Sequence, residues 1–174
     1  MNAFVEILKI LIPAGAVFAA AYLLVKRFLD NDQKRREHEL KKSAQGTITP
    51  LKIQAYERIV IFLERINPNS LVIRVNKNGM SARQLHQELV AAVKSEYEHN
   101  LSQQIYISAG AWELVKTSKE EIIQLINISS SKVAADANSS ELAMMILNIC
   151  SNLGKKLPND VAIDYIKKEI SQNF

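Results

Sequence analysis

Glu96, His99, Asn100, Gln103 and Gln104 collect polar side chains within ten residues, SEYEHNLSQQ, just before the apolar Ile105-Tyr106-Ile107. On a helical wheel Glu96 shares a face with Leu85, Leu89, Ala92 and Val93. A carboxyl turned toward a core needs a hydrogen-bonded partner or must take up a proton. Arg74 is the nearest cation in an apolar context. Two chemistries fit: a set of caps tying down a turn, or a small polar pocket for a ligand or partner group. Capping carries more weight, because buried polar groups are usually satisfied locally.

Other residues of suggestive type are more weakly arranged. Ser129 and Lys132 have the spacing of serine–lysine acylating enzymes but lack the companion motifs. Cys150 lies in LAMMILNIC, the most apolar stretch of the C-terminal half, which suits a packed thiol better than a nucleophile needing exposure and a base. His86 and His99 have no third ligand at a recognisable spacing, and no glycines lie close enough for a phosphate-cradling loop. No catalytic, cofactor-binding or metal-ligating residue is therefore assigned, and no cofactor is expected. Glu57, Arg58, Glu64 and Arg65 form two Glu-Arg pairs seven residues apart with Ile61 among them. Exposed pairs are common and weak, so the group reads first as a solvated face. Ile61 makes it the leading candidate for a partner surface, with Met144 and Leu147 second.

The elements that must position these residues read as helices. Thr49-Pro50 is an N-cap followed by proline at the first helical position, and Asn67-Pro68 is a stop, which predicts a helix over 50–66. Its apolar residues Leu51, Ile53, Ala55, Tyr56, Ile59, Val60, Phe62, Leu63 and Ile66 cover an arc of about 200°, as expected of the central helix of a bundle. Residues 70–75 and 103–107 are too short to assign by period as helix, strand or coil. Ser81-x-x-Gln84 is a capping box opening a helix to about residue 98. Ser108 starts another to about residue 135, with Trp112 inward and Lys116 paired to Glu120. Asn138-x-x-Glu141 opens a third, to Leu153, with Gly154 as its C-terminal cap. It is apolar nearly all round, which favours enclosure. Asn159-Asp160 caps a last helix with Val161, Tyr165 and Ile166 inward.

The N-terminal quarter differs in kind. Ile10–Val25 is an unbroken apolar run of sixteen, and counting back to Ala3 gives twenty-three residues. As a helix these would extend about 34 Å, against about 30 Å of bilayer hydrocarbon. Closure by Lys26-Arg27 favours a retained anchor over a cleaved signal peptide. The basic excess after the run places the remainder in the cytoplasm and the N-terminus outside, in a single-pass inner-membrane arrangement. Residues 1–42 hold eight basic and five acidic side chains, whereas the rest is nearly neutral, so no nucleic-acid footprint is present. Residues 26–46 read as a charged juxtamembrane helix whose Lys26, Arg27, Lys34, Arg35 and Arg36 can touch lipid headgroups, followed by a linker over 43–49. His38 within it reads as a solvated side chain.

QAYERIVIFLERINP at 54–68, the stretch from Gly79 to Ser108 and AWELVKTSKEEIIQLIN at 111–127 resemble a family of small bacterial membrane-anchored proteins, a domain of unknown function. The resemblance covers about half the chain. It implies an inner-membrane helical protein, and the family brings no assigned activity. The expected fold is all-α, with a transmembrane helix at 1–25, the juxtamembrane segment at 26–46 and a helical domain of about five helices at 47–174. The expected role is non-enzymatic: a membrane-anchored adaptor or scaffold whose partners are the lipid bilayer and an unidentified protein or a second copy of the chain. The alternative is a small-ligand sensor or an unrecognised enzyme using the polar cluster from Glu96 to Gln104.

Overall fold

Local capping chemistry starts most of the helices in the computed structural model. The structure describes residues 3–134 and 136–173, excluding the side chains of residues 3–10, 12–14, 16, 37, 38, 41, 44 and 173. The helices are α1 (Ala3–Arg65), α2 (Pro68–Val75), α3 (Ala82–Asn100), α4 (Ala109–Ser131), α5 (Ser139–Asn152) and α6 (Pro158–Asn173), with a 3₁₀ turn at Leu101–Ile105. Among the described residues there is no strand, and the fold is all-α. By its internal contacts the chain divides into two units, Met1–Thr49 and Pro50–Phe174.

In the first unit the side chains described are almost all exposed. Arg35 pairs with Glu39 and Arg36 with Asp32, each at 3.0 Å and one helical turn away, so two of the cations expected at lipid headgroups already have local partners. Among the described residues no helix is long and apolar enough to cross a membrane. Much of the expected span falls at residues 1–10, 12–14 and 16, outside the described side chains, as does His38. The linker expected over 43–49 is instead helical, and Thr49-Pro50 lies inside α1 rather than at a helix start. Proline's fixed φ is already helical, so the departure costs one missing N–H donor and local crowding.

In the second unit a continuous apolar core joins every helix. Ile59, Phe62, Leu63 and Ile66 meet Leu71 of α2, Leu85 and Leu89 of α3, Ile122 and Ile126 of α4, Leu142 and Ile146 of α5, and Ile166 of α6. Asn67 ends one helix and caps the next: its side chain accepts from the Asn69 N–H, with Pro68 at the first position of α2. That resolves residues 70–75 as helix. The Ser81–Gln84 capping box is complete, Ser108 Oγ accepts from the Ala111 N–H, and Asn138 Oδ1 accepts from the Glu141 N–H. Backbone bonds from Ala82 N–H to Ala137 O (3.0 Å) and from Ser139 N–H to Met80 O (3.1 Å) tie the starts of α3 and α5 together. Gly154, at φ +61°, follows α5 in the left-handed conformation that glycine tolerates best.

Several expected orientations change. Leu51 and Ile53 are exposed, so the buried arc of α1 is narrower than the wheel suggested. In α6, which begins at Pro158 rather than after Asn159-Asp160, Val161 and Tyr165 face solvent while Ala162, Ile163 and Ile166 fill the core. Met144 is 57% exposed and Leu147 half-buried, so α5 is covered on one side only. Lys116 pairs with Glu113 rather than Glu120, at 2.5 Å.

Candidate functional site

The two residue groups singled out separately in the sequence meet in one place. Arg58, Ile61 and Arg65 from α1 and Ser95, Glu96, His99 and Asn100 from α3 line an open depression of about 470 Å³. Helical periodicity explains each half. Arg58, Ile61 and Arg65 recur at spacings of three and four, and Ser95 with His99 and Glu96 with His99 and Asn100 are three or four apart, so each set forms one strip along its helix. The strips face each other because the helices are locked beside them: Phe62 meets Tyr97 edge-on at 6.1 Å, and Tyr97 stacks on Trp112 of α4 at 5.5 Å. Lys119 sits 4.5 Å over the Tyr97 ring. Trp112 thus works as a packing anchor beside the site, though it is only partly buried.

Glu96 is the hub. Its side chain is 19% exposed, and Oε1 accepts from Arg65 Nε at 2.6 Å and Nη2 at 2.5 Å. Arg74 Nη1 approaches the same oxygen at 3.6 Å while its Nη2 donates to the Arg65 carbonyl at 3.1 Å, tying the α1–α2 turn to α3. The carboxyl that the sequence turned toward the core has therefore found two guanidinium partners across the helix interface. Arg65, read as part of a solvated face, is one of them. Asn100 is buried and donates from Nδ2 to the Glu96 carbonyl at 2.8 Å, one turn back in α3.

The remaining assignments separate. Gln103 is buried and bonded to Ser102 within the 3₁₀ turn, and Gln104 is exposed; neither lines the depression. Glu57 and Glu64 are exposed on α1 outside its lining. His86 is bonded to Asn127 at 2.7 Å, joining α3 to α4, whereas His99 lines the depression. Among the described residues no three His, Cys, Asp or Glu side chains are grouped to hold a metal. Ser129 is fully buried and donates to the Leu125 carbonyl at 2.8 Å, which removes the serine–lysine reading. Burial pushes the Cys150 thiol pKa up, away from the thiolate a nucleophile requires.

A second polar cluster escaped the sequence reading. Tyr56 Oη donates to Glu169 Oε1 at 2.5 Å, and Ser108 Oγ donates to Glu169 Oε2 at 2.8 Å. Burial, reinforced by the hydrogen bond and charge of Glu169, pushes the Tyr56 hydroxyl up to about 12. The carboxylate joins α1, the N-terminus of α4 and α6, and it lies where the α4 dipole favours negative charge. Tyr56 inside an apolar arc was the available signal, since a buried tyrosine hydroxyl needs a partner.

The fold and the site define an all-α protein in which two facing helices wall a polar, arginine-bearing depression. The chain belongs to the family of unknown function DUF7935, whose model matches residues 2–173. No curated protein and no solved structure gives a significant match to it.

Proposed function

We propose that the protein is a membrane-tethered helical adaptor whose second unit docks a protein partner at the depression between α1 and α3. The observation that carries this reading is the convergence of Arg58, Ile61 and Arg65 with Ser95, Glu96 and His99 on one accessible surface, where Ile61 keeps 49% of its area exposed among polar groups. Ile61 beside charged groups gives this surface an apolar contact with a polar rim, the arrangement of an interaction surface in miniature. The apolar run over 10–25 supports the tether, with the second unit on the cytoplasmic side and Lys26, Arg27, Lys34, Arg35 and Arg36 at the headgroups. Met144 and Leu147 offer a secondary contact, either for the same partner or for a second copy of the chain.

Site-specific photo-cross-linking from position 61 in intact membranes is the test. A discrete adduct that disappears when the cross-linker is moved to the exposed Lys52 is expected; no adduct at 61, or the same pattern from both positions, would sink the docking reading. The tether is tested by alkaline carbonate extraction: the full chain should stay with the membrane pellet and a chain lacking residues 1–25 should not. The small-ligand reading draws on the approach of Arg74 to Glu96, but Arg74, Gln103 and Gln104 do not line the depression. The half-exposed Arg65 and Ile61 walls suit a protein surface better than an enclosed ligand cavity.

A further inference from the structure

Within the docking reading just given, on which this inference rests, we propose that the depression receives the carboxylate of an acidic, partly apolar segment of the partner, with Arg58 as its principal anchor. Glu96 is matched by Arg65 and Arg74. Arg58 is half-buried on the same wall, yet among the described residues no carboxylate lies within ion-pair distance of it. A partly desolvated guanidinium without a counter-charge is unfavourable, and an incoming carboxylate restores the balance with the planar, two-pronged geometry that arginine offers.

Two neighbours refine the match. Ser95 lines the depression with a hydroxyl that makes no hydrogen bond to another described residue, so it can donate to the same carboxylate. Ile61, half-exposed, gives an apolar side chain next to that carboxylate a surface to cover. Glu96 sets the charge limit. It offsets Arg65 within the lining, so a single carboxylate is enough to balance Arg58.

The experiment uses the full chain in detergent micelles, with the arginine Nε–Hε groups observed by nitrogen-15 NMR. The probe is acetyl-Leu-Glu-Leu-Glu-Leu-amide, compared with the same peptide carrying glutamine in place of glutamate and with inorganic phosphate. Saturable shifts of the Arg58 resonance with the glutamate peptide alone are expected. Arg58→Gln should weaken binding roughly ten- to a hundredfold and Ser95→Ala roughly two- to tenfold, the serine bond to the carboxylate being exposed to competing water. Ser95→Ala keeps the test alive if the arginine variant fails to fold. No saturable shift at Arg58, equal shifts with the glutamine peptide, or equal or larger shifts with phosphate would each overturn the assignment. A partner cross-linked from position 61 that leaves Arg58 unresponsive to the peptide would remove this inference and leave the docking reading standing; loss of the cross-link removes both.

Discussion

Replacing Glu96 by glutamine keeps the shape of the side chain and removes the charge that Arg65 and Arg74 share. The cost follows from how exposed each partner is. Fully exposed pairs contribute about 0–1 kcal/mol, and breaking a buried pair costs about 3–5 kcal/mol. Here the carboxylate is 19% exposed and the Arg65 side chain 49% exposed, so solvent screens one end of the main contact and hardly the other. An intermediate loss of about 1–2 kcal/mol is expected for Glu96→Gln, a drop in Tm of roughly 2–8 °C for a chain of this size. The assay is thermal and urea denaturation of the full chain in micelles, as a double-mutant cycle with Arg65→Gln. A coupling energy of about 0.5–1.5 kcal/mol is expected because the two side chains touch. Glu64→Gln, on the exposed surface of α1 next to Arg65, serves as the control and should stay within about 0.5 kcal/mol of wild type. A coupling near zero, or Glu64→Gln as damaging as Glu96→Gln, would refute the view that Glu96 organises the wall.

The Tyr56 cluster gives a pH signature. Because the folded hydroxyl titrates near 12 rather than 10, its stabilising contribution is whole below pH 10 and is lost as pH rises toward 12. It is on the order of 1–2 kcal/mol after solvent screening, and subtracting the Tyr56→Phe stability curve from wild type should isolate it. Ser108→Ala removes both the α4 cap and a bond to Glu169 and should cost about 1–2 kcal/mol in urea midpoint analysis. Gly154→Ala forces an alanine into φ +61° and should cost about 1 kcal/mol by thermal melting. Gly110→Ala should be nearly neutral in the same assay: its new methyl meets the Tyr165 hydroxyl at 2.6 Å, but that hydroxyl ends a half-exposed side chain that can swing away.

The features legible in the sequence are those decided within a few residues. Ser81 with Gln84, Ser108, Asn138 with Glu141 and Gly154 act at the helix ends as their types predict, because capping joins groups one turn apart. Six of the seven residues lining the depression, Arg58, Ile61, Arg65, Glu96, His99 and Asn100, stand out in the sequence by type and spacing, and Ser95 does not. Their meeting was hidden. A helical wheel gives the direction of a side chain and not the neighbour it reaches, so Arg65 reads as solvated and Glu96 as needing a partner, with Arg74 the nearest cation. Glu169 was hidden for the same reason, because it lies 113 positions from Tyr56. Pro50 misled differently: a residue often found at helix starts also fits inside a helix when φ is unchanged and one donor is given up.

The chain holds one tryptophan, and it lies flat against Tyr97, the residue after Glu96. That arrangement installs an optical gauge beside the depression. Indole emission responds to the packing and polarity around its ring, so any event that prises α3 from α4 registers as a change in colour or intensity with no dye attached. Occupancy of the depression that leaves this contact intact would be silent in the same channel, so seating of a visitor and loosening of the framework can be told apart in a single cuvette.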